Sequence, residues 1–180
     1  GDIDVFIANE LIVQSFKSFR PYAGLRIMGD SALPAGGLAF ATRLSDSRLM
    51  TLINRALGSI DDATSRMILS RWTTGLEGSI AQQHINLLPG EREWIKRHPV
   101  VTLATQQFPL YAFRNGDGRW SGLSVDILAR ISRMTGLQFV YKETFSTAQT
   151  LDMLKAGEAQ MNSSLSRSRE RKAFLNFTHS

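Results

Sequence analysis

The second half of the chain alternates two hydrophobic periodicities, and this alternation limits the fold more than any other feature. Residues 100–105 (VVTLAT) form a short, nearly continuous apolar run, the pattern of a buried parallel strand. Residues 123–134 place Leu123, Ile127, Leu128, Ile131 and Met134 on one helical face, and Gly136 follows as a C-terminal stop. A second apolar run, LQFVY at 137–141, comes next, then a helix over 147–156 ended by Gly157, then a further short strand. Strand, helix, strand, helix, strand is the order of an α/β unit, so the sequence predicts a mainly parallel sheet flanked by helices. The tetrapeptide Asn115-Gly116-Asp117-Gly118 reads as a tight hairpin within it.

The first half has the same character. VFIA at 5–8, GLRIM at 24–28 and LAFAT at 38–42 read as strands. A helix after Asn9 carries Leu11, Ile12, Phe16 and Phe19, and Pro21 ends it. Asp46 opens a helix with Leu49, Leu52, Ile53, Ala56 and Leu57 on a face, closed by Gly58. Asp61 opens another with Met67, Ile68, Leu69 and Trp72, where Trp72 reads as a core anchor. Periodicity is lost over 73–83 (TTGLEGSIAQQ), a linker composition. A short helix, PGEREWIKR at 89–97, follows with proline in its first turn.

Charge and composition narrow the function. The net charge of +5 comes from 16 arginines against 5 lysines. They are scattered, without the aromatic-interleaved basic stripe of a nucleic-acid surface, so no nucleic-acid partner is expected. With no cysteine, thiolate metal sites, disulfides and thiol nucleophiles are excluded. No apolar run reaches the ~18 residues of a membrane span. His84, His98 and His179 are isolated and lack metal-ligand spacing. No nucleotide-binding, metallopeptidase or nucleophile-elbow motif is present, and no cofactor is called for. Both ends read as cut from a longer polypeptide.

Two features point to a ligand. Phe108 follows the first strand of the parallel unit, where α/β sheets bind their ligands, and a loop aromatic there can stack on one. The stretch GEAQMNSSLSRSRERKAFLNFT at 157–178 reads as strand, hydroxyl-rich loop, basic helical turn and strand. In it Ser163, Ser164, Ser166 and Arg171 are spaced to converge on a small anion; the planar arginine fork fits a carboxylate bidentately. The plain alternatives are a surface aromatic and a serine-capped helix with a surface arginine. Both features fall on the same edge of one sheet. No acid or base suited to catalysis is expected beside Phe108 or Arg171.

The segments LPGEREWIKRHPVVTLAT, FPLYAFRNGDGRWSGLSVDILARISRMTGLQF and LKAGEAQMNSSLSRSRERKAFLNFTHS resemble the entry and first lobe of a periplasmic Venus flytrap domain, the bacterial extracellular solute-binding proteins of family 3. Residues before them, GDIDVFIANELIV and LAFATRLSDSRLMTLINRALGSIDDATSRMILSRW, look like the back end of a preceding flytrap: a last lobe-two strand and helix, a return strand and terminal helices. Two flytraps joined by a helix are similar to the sensor regions of hybrid histidine kinases of the BvgS and EvgS type. The resemblance implies periplasmic-binding-protein-like (type II) lobes. It divides the chain into 1–75, the C-terminal part of a first flytrap; 76–99, linker and junction helix; and 100–180, the first lobe of a second. In that family the aromatic after the first strand stacks on the ligand, which matches Phe108. The S-S-x-S segment binds the ligand carboxylate and amino group, which matches Ser163, Ser164 and Ser166, and the arginine five residues on clamps the carboxylate, which matches Arg171. Lobe two supplies an aspartate for the ammonium; the corresponding residue here is Asn9, neutral and in the first domain.

What the resemblance implies is a periplasmic ligand-sensing region with no chemistry of its own. Its parent would be a membrane-anchored, homodimeric sensor kinase, and its partner a small amino acid or other carboxylate. A transport solute-binding protein and a flytrap-domain enzyme, such as a lytic transglycosylase or a dehydratase, are the alternatives.

Overall fold

A computed structural model describes residues 8, 11–13, 26, 28–29, 37–73 and 85–179. The expected strands at 5–8 and 24–28, Asn9 and the linker over 73–83 lie wholly or largely outside the described residues.

The element order is β1 (Leu38–Arg43), a 3-10 turn (Leu44–Asp46), α1 (Ser47–Gly58), α2 (Asp62–Thr73), α3 (Pro89–Arg97) and β2 (Val100–Gln106). Then come β3 (Phe113–Arg114), β4 (Trp120–Ser121), α4 (Leu123–Thr135), β5 (Gln138–Thr144), α5 (Thr147–Ala156), β6 (Met161–Ser166), α6 (Arg169–Lys172) and β7 (Leu175–Phe177). Five strands form one sheet in the order β5-β2-β6-β1-β7. β2 pairs in parallel with β5 and with β6, while β1 runs antiparallel to both β6 and β7. Four of the five strands therefore share a direction, and the mainly parallel α/β architecture read from the sequence holds. The small β3–β4 hairpin turns at Asn115–Gly118, where the Asn115 side chain accepts hydrogen bonds from the Asp117 and Arg119 amides at 3.1 and 2.9 Å.

Each face of the sheet carries a core. On one, α1 and α4 lay Leu49, Leu52, Ile53, Ala56, Leu128, Ile131 and Met134 against Phe40, Val101, Leu103 and Met161. On the other, Leu154 of α5 packs with Ala41, Ala104, Leu165 and Leu175. Each fully buried leucine or isoleucine contributes roughly 1.5–3 kcal/mol. Helix α2 departs from the expected face. Thr64 and Ile68 are buried and Trp72 half-buried, a four-residue stripe, whereas Leu69 is exposed. Trp72 anchors through polarity as well as packing: its indole N–H donates to Asp126 Oδ2 of α4 at 2.8 Å, and its ring meets Phe113 edge-on.

The stretch over 161–166 corrects another expectation. The serine-rich segment is not a loop; it is β6 itself, with Ser163 3% exposed. Its pairing with β1 slips by one residue, from Thr42↔Met161 and Ala41↔Asn162 to Ala39↔Leu165. Ser163 and Ser164 thus oppose Phe40 alone, a β-bulge. The bulge reverses the alternation of the strand. Met161 and Leu165, four residues apart, would share a face in a regular strand; here Met161 enters one core and Leu165 the other. The Asn162 side chain holds the bulge by donating to Ala104 O at 2.7 Å and accepting the Ser164 amide at 2.8 Å.

Candidate functional site

Because β2, β5, β6 and β7 run together, their carboxyl ends form one edge. Phe108 lies two residues beyond β2, Ser166 ends β6, and these two strands are neighbours. Of the six residues expected to bind ligand, the edge therefore carries Phe108, Ser166 and, through its bonds to Ser166, Arg171, while Ser164 and the buried Ser163 lie two and three residues inside β6. The sixth, Asn9, lies outside the described residues.

Arg171 is set by local geometry. Ser168 caps the single turn α6, its hydroxyl accepting the Arg171 amide at 3.1 Å. The arginine side chain folds back over the strand end, where Nη1 donates to Ser166 O at 2.9 Å and to Ser166 Oγ at 2.7 Å. Among the described residues no carboxylate pairs with it. A half-buried guanidinium held by neutral acceptors keeps its charge and several donors for an anion. Ser163 and Ser164 bring their hydroxyls within 3.4 Å of each other at the bulge.

The Phe108 loop is fixed from below. Phe108 and Ala112 form a bridge, with the Phe108 amide donating to Ala112 O at 2.7 Å and the Ala112 amide to Phe108 O at 3.0 Å. The Phe108 ring is 38% exposed and stacks on Tyr111 with centroids 5.5 Å apart. Leu110 adopts φ +73°, a rare conformation for a branched side chain. Helix α4 locks the loop: its first amides, Leu123 and Ser124, donate to Leu110 O and Tyr111 O at 2.8 and 2.9 Å. The close approach requires a glycine at 122 (φ +132°), since a Cβ there would stand 2.4 Å from Tyr111 O.

The edge holds residues the sequence reading passed over. Phe145, just past β5, is 83% exposed, a second aromatic on the same rim. Its signal was available: an aromatic between a strand and the helix cap Ser146 repeats the placement of Phe108. An acid is present as well, tied up by its neighbours. Glu143 accepts from Gln107 Nε2 at 2.7 Å and from Arg114 Nε at 3.3 Å, and Arg114 stacks over Trp120. Its carboxylate is therefore occupied by a cation and an amide. Trp120 in turn stacks on Tyr141, whose phenol is pushed above its ordinary value by burial and, secondarily, by the Asp126 carboxylate. Of the histidines, His98 stacks on Trp94 and His179 is exposed; His84 lies outside the described residues. No cluster of metal-ligating side chains occurs among the described residues. Likewise no helix among them is long and apolar enough to cross a membrane.

Residues 100–180 match the family model of the bacterial extracellular solute-binding proteins, family 3. That family and the tandem-flytrap sensors are the two resemblances the residues carry, and both hold. Over 180 residues, 99% of its length, the chain is 28% identical to the virulence sensor protein BvgS of Bordetella pertussis, covering 14% of that protein. It is 25% identical to the sensor protein EvgS of Escherichia coli K12 over 140 residues, 77% of this chain and 12% of that protein. The crystal structure of the B. pertussis BvgS periplasmic domain is 27% identical, covering 72% of this chain and 25% of that one, with a TM-score of 0.49. The chain thus spans about a seventh of the sensor proteins it resembles.

Proposed function

We propose that this chain is part of the periplasmic ligand-sensing region of a membrane-anchored, homodimeric two-component sensor histidine kinase, and that it performs no chemistry itself. In this reading residues 1–75 are the C-terminal part of one flytrap, 76–99 the linker and junction helix, and 100–180 the first lobe of the next. The ligand is a small polar carboxylate, an amino acid or a relative of one. Arg171 takes the carboxylate, Ser163, Ser164 and Ser166 add short polar contacts, and Phe108 and Phe145 flank the apolar part. Asn9 belongs to the preceding domain and contributes there.

One observation carries the reading: Arg171 is folded onto the end of β6 by Ser166 and has no acidic partner among the described residues. A surface arginine with no role gains little from such an arrangement, whereas an anion site needs it. The family match over 100–180 and the similarity to two sensor proteins supply the context. Glu143, tied to Arg114 and Gln107, is not placed as a free acid for catalysis, which disfavours an enzyme. Ligand held between two lobes would favour the closed form by its greater affinity for that form.

The test is calorimetry with a panel of amino acids and dicarboxylates on the two-lobed domain. A carboxylate from the panel is expected to bind, and Arg171→Ala to weaken it by about 2 kcal/mol or more, the scale for leaving a buried charge unpaired. Unchanged affinity for the bound carboxylate would refute the assignment.

A further inference from the structure

Away from the binding edge, a cavity of about 410 Å³ lies between α1 and α3. Its place follows from the strand directions. β1 runs against the other strands, so it ends beside their first residues: Arg43 is in register with Leu175, and Thr42 with Met161. Helix α1 starts just beyond, at Ser47, and α3 delivers the chain to Val100, the first residue of β2. The cavity is lined by the opening turns of α1. It therefore sits toward the amino ends of the parallel strands, opposite the edge that carries Phe108 and Arg171.

Polar contacts join the two helices at one end. Arg55 of α1 pairs with Glu91 and donates to Asn86 O at 2.7 Å, and the same Glu91 carboxylate accepts the Leu88 amide at 2.7 Å. Toward the other end the contact opens into the cavity. Leu52, which also belongs to the core, gives it an apolar wall together with Leu88 and Trp94. The Trp94 ring is held by His98, which stacks on it with centroids 4.9 Å apart. Ser47, Arg48 and Thr51 of α1 supply polar lining, and the Thr51 hydroxyl donates to Ser47 O at 3.0 Å. The charge here is one-sided. Glu91, the acid of the lining, is committed to Arg55 and the Leu88 amide. Arg48 is exposed and pairs with no carboxylate among the described residues.

We propose that this cavity is a second binding site, separate from the sheet edge, for a free monocarboxylate with an alkyl tail of medium length. The tail lies between Leu52, Leu88 and Trp94, and the carboxylate meets Arg48. The volume is within the roughly 300–1,000 Å³ of small-molecule sites, and apolar walls with a few polar groups are their usual lining. An alkylammonium of the same length would face the charge of Arg48 and find Glu91 already neutralised. A carboxylate without a tail would leave the apolar walls uncovered. Bound there, the ligand bridges α1 and the helix that leads into β2. The proposal takes nothing from the reading of the edge and adds a site on the opposite side of the sheet.

Octanoate is the probe, titrated into the full chain by calorimetry with octylammonium and propionate as controls. Octanoate is expected to bind saturably and the two controls not to bind. Arg48→Gln should weaken octanoate by about fivefold, the upper end for an exposed ion pair. Gly90 also lines the cavity, and a Cβ there meets nothing within 4 Å, so a side chain at this position grows into open space. Gly90→Leu should therefore abolish binding while leaving the melting temperature unchanged or raised, because leucine is the better helix former. Arg171→Ala should leave octanoate affinity unchanged. The proposal is overturned if octanoate does not bind, if octylammonium binds as well as octanoate, or if Gly90→Leu retains full affinity. Loss of octanoate binding in Arg171→Ala would place the ligand at the sheet edge and overturn it too. Because the two arginines are tested with separate variants, this site and the edge can fail independently.

Discussion

Replacing Gly122 with alanine tests the claim that the aromatic loop is locked by backbone contact. At φ +132° and ψ 171° the residue occupies a region essentially reserved for glycine, costing an L side chain roughly 1–3 kcal/mol. The added Cβ would stand 2.4 Å from Tyr111 O, 2.6 Å from its carbon and 2.9 Å from Leu110 O, all backbone atoms that cannot rotate away. Relief requires moving the loop off α4 and weakening the bonds from Leu123 and Ser124, each about 0.5–1.5 kcal/mol. The expected loss is about 3–5 kcal/mol. Gly136 is the internal standard: it also has positive φ (+82°), but a Cβ there meets nothing within 4 Å. Gly136→Ala is expected to cost about 1 kcal/mol, left-handed strain partly offset by a stiffer unfolded chain. With a urea dependence of about 2 kcal/mol per molar, the two midpoints should differ by about 1–2 M when followed by circular dichroism. Midpoints within about 0.3 M of each other would refute the argument.

Two further substitutions address the sheet and its edge. Asn162→Leu leaves Ala104 O without the side-chain donor and Ser164 N without its acceptor at a position 5% exposed. The expected loss is about 2–4 kcal/mol. A melting temperature unchanged by Asn162→Leu would remove the bulge from its proposed support; the expectation is a fall of about 5–15 °C. Tyr141 has a phenol pKa raised in the folded protein, so the unfolded chain ionises first as pH rises. Its contribution to stability is complete below the ordinary value near 10 and is lost above it, with a slope of up to about 1.4 kcal/mol per pH unit. Tyr141→Phe should flatten the fall in stability between pH 10 and 11; an identical profile in both proteins would show that Tyr141 is not its source.

Much of this architecture was legible because local and global signals agree. The helix ends at Gly136 and Gly157 are glycines in left-handed conformations, as their positions after apolar stripes require. The hairpin at Asn115 follows from its asparagine and glycines. Phe108, Ser166 and Arg171 were legible as a group since a parallel sheet brings the ends of successive strands to one edge. What was not legible depends on pairing. Composition alone makes MNSSLS look like a loop, because serine and asparagine favour turns. It becomes strand when β1 and β2 satisfy its backbone on both sides. The companionship of β1 and β7 joins residues more than 130 apart, and no periodicity within either strand encodes its neighbour. Leu69 was misplaced for a simpler reason: three consecutive apolar residues, Met67 to Leu69, cannot all face inward on a helix, and Ile68 does.

The change of parity inside β6 has a consequence for how this segment can vary in length. Ser163 and Ser164 occupy a place where a regular strand would have one residue. Deleting either would leave a regular strand in which Leu165 still opposes Ala39 and Ser166 still opposes Leu38, and Leu165, then three residues after Met161, would keep its present face. A one-residue gap at Ser163 or Ser164 is therefore to be expected among relatives, whereas an alignment that opens one between Leu165 and Arg171 has misplaced the arginine.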